Sequence, residues 1–429
     1  MTSAQLYPEL YLAIFDRLDR VSRNRTDLRN VSMASRLFHE LAEPLIFTEI
    51  LLQMDRSQSG IEPQTRAIIH HLTSRAKTRE WVKSVKIIAY WNGDKAIDRI
   101  ADIFVELHNL RNIIFETINL TDSMVRHLLC LSHPFRLNCW NVGYAAKAEN
   151  LVLDTRGLQI TELVSNYLRG PNMILLITRL TLGPHLSVLS MGKRDSPHIY
   201  PIVLQNPGHN FDIRRLEVYL PVEQVDMMSL LSLLASCPRL SHLKIISVHV
   251  PNWWDNPTFL LPTTSIPDLS SFEAPYDLAG LIVWRRPVLS LRLLCDFKGN
   301  LDRELLSQLA EGSASLRELD VDGFIWRDDV LLNIAEYFPA LQTLRLRVLG
   351  KHGFSWMVKR LTSGVQRLPP LQRFVIYCFT PSKDEVEVDY NTLKSLKGAN
   401  NRLVHIGLCL KTEWSEGERR WVFLPLSRI

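Results

Sequence analysis

The sequence predicts an α/β protein in which a short helical segment precedes a long solenoid of strand–helix repeats. Two observations lead to this fold class. Residues 6–50 place apolar side chains at helical spacing in several short runs. From residue 81 onward, the pattern apolar-x-x-apolar-x-apolar returns many times, with helical stretches between its copies. With 46% hydrophobic and 22% charged residues, the 429-residue chain has the composition of a folded protein.

The N-terminal segment, residues 6–50, is predicted to form three short amphipathic helices. Leu10, Ile14 and Leu18 recur every four residues and therefore share one face of a helix that Pro8 can open. The second helix is expected to begin at residue 27, and the third to run from residue 35 until Pro44 stops it. A unit this small cannot bury all of its apolar residues. We therefore expect the following domain, a partner protein, or both to cover the remaining face.

The repeated pattern predicts a stack of short parallel strands. Its copies are Val82/Val85/Ile87, Leu110/Ile113/Phe115, Ile177/Leu180/Leu182, Ile213/Leu216/Val218, Leu240/Leu243/Ile245, Leu269/Phe272/Ala274, Val288/Leu291/Leu293, Leu316/Leu319/Val321, Leu341/Leu344/Leu346, Leu371/Phe374/Ile376 and Leu403/Ile406/Leu408. In the second half the copies begin 27, 29, 19, 28, 25, 30 and 32 residues apart, a period typical of a solenoid. The gap between residues 115 and 177 is expected to hold one or two weaker copies, around Leu137 and around residues 151–153.

Helices are predicted before and between these strands, at residues 65–80, 226–236, 302–310, 328–338 and 356–361. Several begin with Asp, which is a favourable N-cap, and several end shortly before Pro. Residues 414–426 are expected to cover the last repeat. The repeating strand, loop and helix resemble the leucine-rich-repeat plan in a divergent form, which implies a parallel concave sheet with helices outside it.

Charged residues alternate along the face of the predicted sheet that points away from the core. The strand register places Asp320 beside Arg345 and Glu318 beside Thr343, about 4.8 Å apart. One interpretation is that these charges satisfy one another on a solvated sheet. The other is a recognition strip for a partner protein, to which exposed tryptophans of the loop 250–262 could contribute. The candidate residues are Arg292, Glu318, Asp320, Arg345, Arg347, Arg373, Tyr377, Trp253 and Trp254.

The N-terminal segment resembles an F-box. The resemblance is carried by Leu6-Tyr7-Pro8-Glu9-Leu10, Ile14-Phe15 and Leu18, and by the closing runs Ser35-Arg36-Leu37-Phe38 and Pro44-Leu45-Ile46-Phe47. It implies docking on a Skp-type adaptor, which links F-box proteins to a cullin in a ubiquitin ligase. The adaptor contacts implied are Leu6, Pro8, Glu9, Leu10, Ile14, Leu18, Leu28, Leu37, Phe38 and Leu41. The domains are then an F-box at 1–50, a helical linker and solenoid cap at 51–80, and a leucine-rich-repeat-like domain at 81–429.

Several other classes of function are disfavoured by the sequence. The net charge of +5 is modest and contains no run of five basic residues, so we expect no nucleic-acid partner. The six cysteines form no Cys-x-x-Cys pair, which predicts buried free thiols and no metal site. No apolar run reaches the roughly eighteen residues that span a bilayer, and no signal peptide is expected, so the predicted location is cytoplasmic, nuclear or both.

The expected function is therefore that of a non-catalytic receptor. Glycine-rich phosphate loops, His-Glu-x-x-His and Gly-x-Ser-x-Gly are absent, so neither an enzyme nor a cofactor is expected. The F-box resemblance implies the substrate-recognition subunit of a Skp-cullin-F-box ubiquitin ligase, which holds a target protein near the conjugating enzyme. The alternative is a repeat scaffold for protein–protein interaction without a ligase role.

Overall fold

The computed structural model has an α/β architecture and divides into two compact units, Met1–Ile199 and Tyr200–Ile429. The structure describes residues 11, 13–15, 17, 26–54, 61–89, 94–144, 155–206, 209–221, 223–247, 261–294, 301, 303–313, 315–327, 329–349, 364–369, 371–378, 398, 400, 403, 405–408, 412–415 and 420–423. Each unit carries parallel strands joined by helices, an arrangement compatible with a solenoid-like repeat.

The first unit begins with helices around a small core. Residues 11, 13–15 and 17 are helical, and they precede α1 (Thr26–Ser32) and α2 (Arg36–Thr48). Ser35 caps α2 by accepting a hydrogen bond from the backbone N–H of Phe38 at 3.1 Å. The core residues of this helical cluster are Phe15, Leu28 and Ala42, and partly buried apolar side chains pack against them.

Pro44 was expected to stop the last of these helices, and this expectation is wrong. Helix α2 continues through Pro44 to Thr48, whose hydroxyl donates a hydrogen bond to the Pro44 carbonyl at 2.8 Å. A proline inside a helix removes one backbone hydrogen bond. Leu45 and Ile46 pack against the core of the cluster directly after Pro44, and this packing stabilises the last turn of the helix.

The segment that follows contains one strand and two helices. Strand β1 (Glu49–Gln53) precedes α3 (Pro63–Ser74) and α4 (Ala76–Trp81). A single helix was predicted over residues 65–80, but Arg75 has an extended backbone with φ −128° and ψ 101°. Thr73 and Ser74 donate their hydroxyls to backbone carbonyls of the preceding turn, which competes with helix continuation.

The parallel sheet of the first unit has the order β1-β2-β3-β5-β7-β8, and β4 pairs with β6 in a separate short ladder. Along β2 and β3, side chains alternate between the core and the opposite face. The elements are β2 (Ser84–Ile88), α5 (Asp94–Phe104), β3 (Asn112–Glu116), β4 (Asn119–Leu120), α6 (Asp122–Leu129), β5 (Phe135–Trp140), β6 (Gly143–Tyr144), β7 (Ile160–Asn166), α7 (Pro171–Leu180), β8 (Val188–Met191) and α8 (Ser196–Ile199).

The pattern Ile177/Leu180/Leu182 was predicted to be a strand, and this prediction is wrong. Pro171 opens helix α7, and the buried residues of that helix recur at three- and four-residue spacing. The strand expected around Leu137 is confirmed as β5. The one expected at residues 151–153 lies outside the described residues, and β7 and β8 follow it without having been predicted.

In the described part of the second unit, eight parallel strands pair in chain order, β9 to β16. Every strand predicted from residue 213 onward is present, and in β9 to β15 each pattern places two buried apolar side chains on its strand. The elements are α9 (Ile202–Gln205), β9 (Arg215–Tyr219), α10 (Gln224–Ala235), β10 (His242–Ile246), β11 (Ser271–Pro275), α11 (Tyr276–Val283), β12 (Ser290–Leu294), α12 (Arg303–Ser313), β13 (Glu318–Ile325), α13 (Val330–Tyr337), β14 (Thr343–Leu349), β15 (Arg373–Cys378), β16 (His405–Leu408), β17 (Thr412–Ser415) and β18 (Arg420–Phe423).

The end of the second unit differs from its repeats. Strands β17 and β18 pair antiparallel, β17 beside β16 and β18 beside β17. A chain reversal of this kind ends the series of parallel strands, in agreement with the predicted terminal cap. The helix predicted at residues 356–361 lies outside the described residues.

Candidate interaction surfaces

A row of six charges of alternating sign crosses the sheet of the second unit. We call it the charged row: Glu217, Lys244, Glu273, Arg292, Asp320 and Arg345, one from each strand from β9 to β14. The strand register places every member beside an opposite charge. The predicted neighbours Asp320 and Arg345 are confirmed, and so are Glu318 and Thr343.

The ion pairs of the charged row are longer than hydrogen bonds. The nitrogen–oxygen distances are 3.4 Å from Lys244 to Glu217, 3.8 Å from Lys244 to Glu273 and 3.6 Å from Arg292 to Glu273. Arg292 and Arg345 lie 3.7 and 3.8 Å from Asp320. Partly exposed pairs at such distances contribute about 0–1 kcal/mol each to stability. The row therefore neutralises the sheet face more than it stabilises the fold.

A second acidic position lies further along strand β13. Asp322 accepts a hydrogen bond from Arg347 at 2.6 Å and lies 3.7 Å from Arg292. Burial raises the pKa of Asp320 above its ordinary value, against the opposing effect of Arg292 and the other nearby arginines. The ionised form of Asp320 is thus held in a site that disfavours charge.

A cavity of about 150 Å³ opens beside the charged row, over β11 to β14. Four residues in register line one side of it, Ser271, Ser290, Glu318 and Thr343. We call this set the hydroxyl row, since three of its members are Ser or Thr. The charged row provides the other side through Glu273, Arg292, Asp320 and Arg345.

The structure places the predicted recognition residues unevenly. Arg292, Glu318, Asp320 and Arg345 come together at the cavity, and Arg347 pairs with Asp322 beside it. Arg373 is partly buried and lies next to Thr343 on β15. Tyr377 is on the same strand, but its side chain, like Trp253 and Trp254, lies outside the described residues. Sequence reasoning missed Glu217, Lys244 and Glu273, although they occupy the same outward positions in strands that the pattern had identified.

The helical cluster at the N-terminus provides a second candidate surface. Ile14 and Leu37 are exposed to 49% and 40%, and Met33 is exposed to 77%. Phe38 and Leu41 are partly buried against the core of the cluster, and Leu28 is fully buried within it. Leu28 thus supports this surface from inside. The remaining predicted contacts, Leu6, Pro8, Glu9, Leu10 and Leu18, lie outside the described residues.

The helical cluster is attached to the segment that follows it through polar and aromatic contacts. The ring of Phe47 stacks on His71 at 4.7 Å between centroids. Glu43 lies 3.4 Å from the His71 ring and 3.1 Å from Arg75. Since Glu43 and Phe47 are on α2 and His71 is on α3, these contacts hold the last turns of α2 against the next helix.

The cysteines in the described part of the chain do not all follow the expectation of buried thiols. Cys139 and Cys237 are buried, and burial raises the pKa of Cys237 to about 12, which keeps that thiol protonated. Cys130 is exposed instead, because it follows the last turn of α6. Within the described ranges, no group of three or more His, Cys, Asp or Glu side chains is arranged to hold a metal ion.

Comparison with known proteins gives no relative: neither a protein-family model nor a curated protein matches this chain. In the parts of the chain that the structure describes, every helix is too short or too polar to cross a membrane.

Proposed function

We propose that this protein is the substrate-recognition subunit of a Skp-cullin-F-box ubiquitin ligase, located in the cytoplasm, the nucleus or both. In this proposal the helical cluster binds a Skp-type adaptor, and the sheet face of the second unit binds a target protein. The protein itself performs no bond chemistry. It raises the effective concentration of a target lysine near the conjugating enzyme.

The observation that carries the proposal is the exposed apolar surface of the helical cluster. Ile14, Met33 and Leu37 are exposed, while the core of the cluster consists, among the described residues, of Phe15, Leu28 and Ala42. Large apolar side chains exposed on a small helical unit favour a protein–protein interface. The F-box resemblance that includes Ile14 and Leu37 makes a Skp-type adaptor the proposed partner for this surface.

The different polarity of the two surfaces supports the proposal as well. The helical cluster exposes the apolar side chains Ile14, Met33 and Leu37, which suits a stable interface with a constant partner. The charged row and its cavity are polar, which suits recognition that depends on the chemistry of the target. Stacked parallel strands offer such a surface in solenoid proteins.

A binding measurement with a purified Skp-type adaptor tests the proposal. Glu in place of Ile14 or Leu37 puts a charge where an apolar contact forms, and a central contact contributes about 2 kcal/mol or more. We expect Kd to rise at least roughly thirtyfold for Ile14→Glu and for Leu37→Glu. Val105→Glu is the matched control, since Val105 is exposed to 47% in the first unit and outside the helical cluster.

The outcomes separate the ligase role from the scaffold alternative. Micromolar or tighter binding by the wild type, lost in the two cluster variants and kept in the control, supports the ligase role. A wild-type protein that binds no adaptor at micromolar concentration refutes it. The sheet face would then belong to a protein-interaction scaffold without a role in ubiquitin transfer.

A further inference from the structure

We infer that the cavity over β11 to β14 binds a basic side chain, Lys or Arg, from an extended segment of a partner protein, with Glu318 as its counter-ion. The inference deepens the proposed function, since it assigns a chemistry to the partner captured by the sheet face. It does not depend on the adaptor, because the cavity lies entirely within the second unit.

Most of the carboxylates around the cavity are already paired with a cation. Each carboxylate of the charged row has a cation within 4 Å, and Asp322 is paired with Arg347. Glu318 differs from them. Its neighbours in register are Ser290 and Thr343, and among the described residues its side chain has one polar contact, a hydrogen bond from the Ser290 hydroxyl at 3.2 Å.

The Glu318 carboxylate adds a negative charge to the lining of the cavity. Glu318 lines the cavity from the hydroxyl row, two residues before Asp320 on strand β13, which corresponds to about 6.6 Å along the strand. The cavity lining thus carries three carboxylates, Glu273, Glu318 and Asp320, against two guanidinium groups. The charge left over is negative, and it lies at Glu318.

Hydroxyl groups line the cavity together with Glu318. The hydroxyls of Ser271, Ser290 and Thr343 can each accept a hydrogen bond from an ammonium or guanidinium group that pairs with Glu318. On the opposite wall the Nε of Arg292 is shielded from solvent and has no hydrogen-bond acceptor among the described residues. An incoming group cannot reach this shielded nitrogen, so Arg292 remains paired with the carboxylates of Glu273 and Asp320.

The overall charge of the protein makes this preference selective. The chain carries a net charge of +5, so nonspecific attraction favours acidic partners. A basic segment that binds must therefore do so through a local site. The paired charges of the row also repel a misplaced partner charge of either sign, which fixes where the basic side chain can enter.

Selection of displayed random peptides on the full-length protein tests the inference. We expect enriched peptides to share one Lys or Arg position, and a labelled synthetic peptide of that sequence to bind measurably by fluorescence anisotropy. Glu318→Gln keeps the shape and should weaken that peptide roughly tenfold to hundredfold. Glu318→Lys should select peptides with Asp or Glu at the same position. Glu304→Gln on the exposed face of α12 is the control and should leave binding unchanged.

Three results overturn the inference: no enriched peptide, enriched peptides without a shared basic position, or equal binding by wild type and Glu318→Gln. Adaptor binding is measured on the same preparations. Loss of adaptor binding with the basic preference intact refutes the ligase role alone. Retained adaptor binding without a basic preference refutes only the assignment of the cavity.

Discussion

Arg286 offers the sharpest test of what holds the second unit together. Its side chain is fully buried at 1% exposure, and no carboxylate pairs with it among the described residues. The guanidinium instead donates all five of its N–H groups to backbone carbonyls. Nε donates to Ser265 at 3.1 Å, and the two terminal nitrogens donate to the carbonyls of Ile282, Trp284, Leu261 and Pro262. It thus joins the end of α11 to the loop before β11.

We expect Arg286→Met to lower the free energy of unfolding of this unit by about 3–5 kcal/mol, because it leaves several buried backbone carbonyls without a donor. Each lost bond from a charged donor contributes about 1.5–3 kcal/mol. The buried charge itself is costly, as the lowering of the Arg286 pKa to about 10 by burial indicates, and removing it recovers part of the loss. Arg286→Lys should fall between, because an ammonium has three donors and cannot reach five carbonyls.

Thermal unfolding of the full chain, followed by circular dichroism, measures the effect. A loss of this size should lower the midpoint by roughly 6–20 °C. Hydrogen exchange should also accelerate in peptides that cover residues 261–288. Arg285→Met is the matched control, because the one side-chain contact of the exposed Arg285 among the described residues is a cation–π contact with Trp284, about 0.5–1 kcal/mol. If Arg286→Met unfolds at the same midpoint as this control, the carbonyl bonds do not hold the loop and the reasoning is refuted.

Three further predictions concern other positions. In Gly312→Ala, the new Cβ would lie 2.4 Å from the backbone nitrogen of Arg285. We expect the free energy of unfolding, measured by chemical denaturation, to fall by about 1–3 kcal/mol. An unchanged midpoint would mean that the backbone at Gly312 and the backbone at Arg285 can move apart freely. Asp195→Ala should lower the free energy of unfolding by about 2–3 kcal/mol, because the buried Asp195 carboxylate accepts a hydrogen bond from the Ser165 hydroxyl at 2.7 Å. Adding Ser165→Ala to the Asp195→Ala variant should then lower it little further. Fully additive losses would contradict the pairing of the two side chains. Burial raises the folded-state pKa of Asp320 above the ordinary 3.8, so protonation of Asp320 stabilises the folded state below that value, and this stabilisation is lost as the pH rises through the raised pKa. On acidification, wild type should therefore gain stability relative to Asp320→Asn. A pH-independent stability difference between the two proteins would contradict the burial effect.

The strand positions of the second unit were predictable because the apolar residues of each pattern are the residues that face the core in the folded strand. Leu291, Leu319 and Leu344 each begin a pair of inward positions, and their register neighbours follow from stacking strands of the same pattern. The first unit was less predictable. The residues of α7 were predicted to form a strand because a short apolar run fits both the helical and the strand period. Pro171 at the start of the helix is the signal that favours the helix.

The candidate site was predictable in its residues but not in its geometry. The register alone gives Arg345 as a neighbour of Asp320, because parallel strands fix which residues lie side by side. The hydrogen bond between Arg347 and Asp322, or the five-carbonyl cage of Arg286, depends on side-chain conformations that no periodicity encodes. A buried arginine without a carboxylate has no sequence signal, since its acceptors are backbone groups.

The charged row constrains what the sheet face can do. Its members come from six strands separated by unequal lengths of sequence, so no local pattern produces the alternation, and it exists only when the strands stack in register. Pairs of 3.4–3.8 Å on a partly exposed face add little stability, so the row is not needed to hold the sheet together. What alternation does achieve is a face on which a stray partner charge meets both attraction and repulsion. On such a face a single uncompensated group determines which charge binds, and among the carboxylates that line the cavity that group is Glu318.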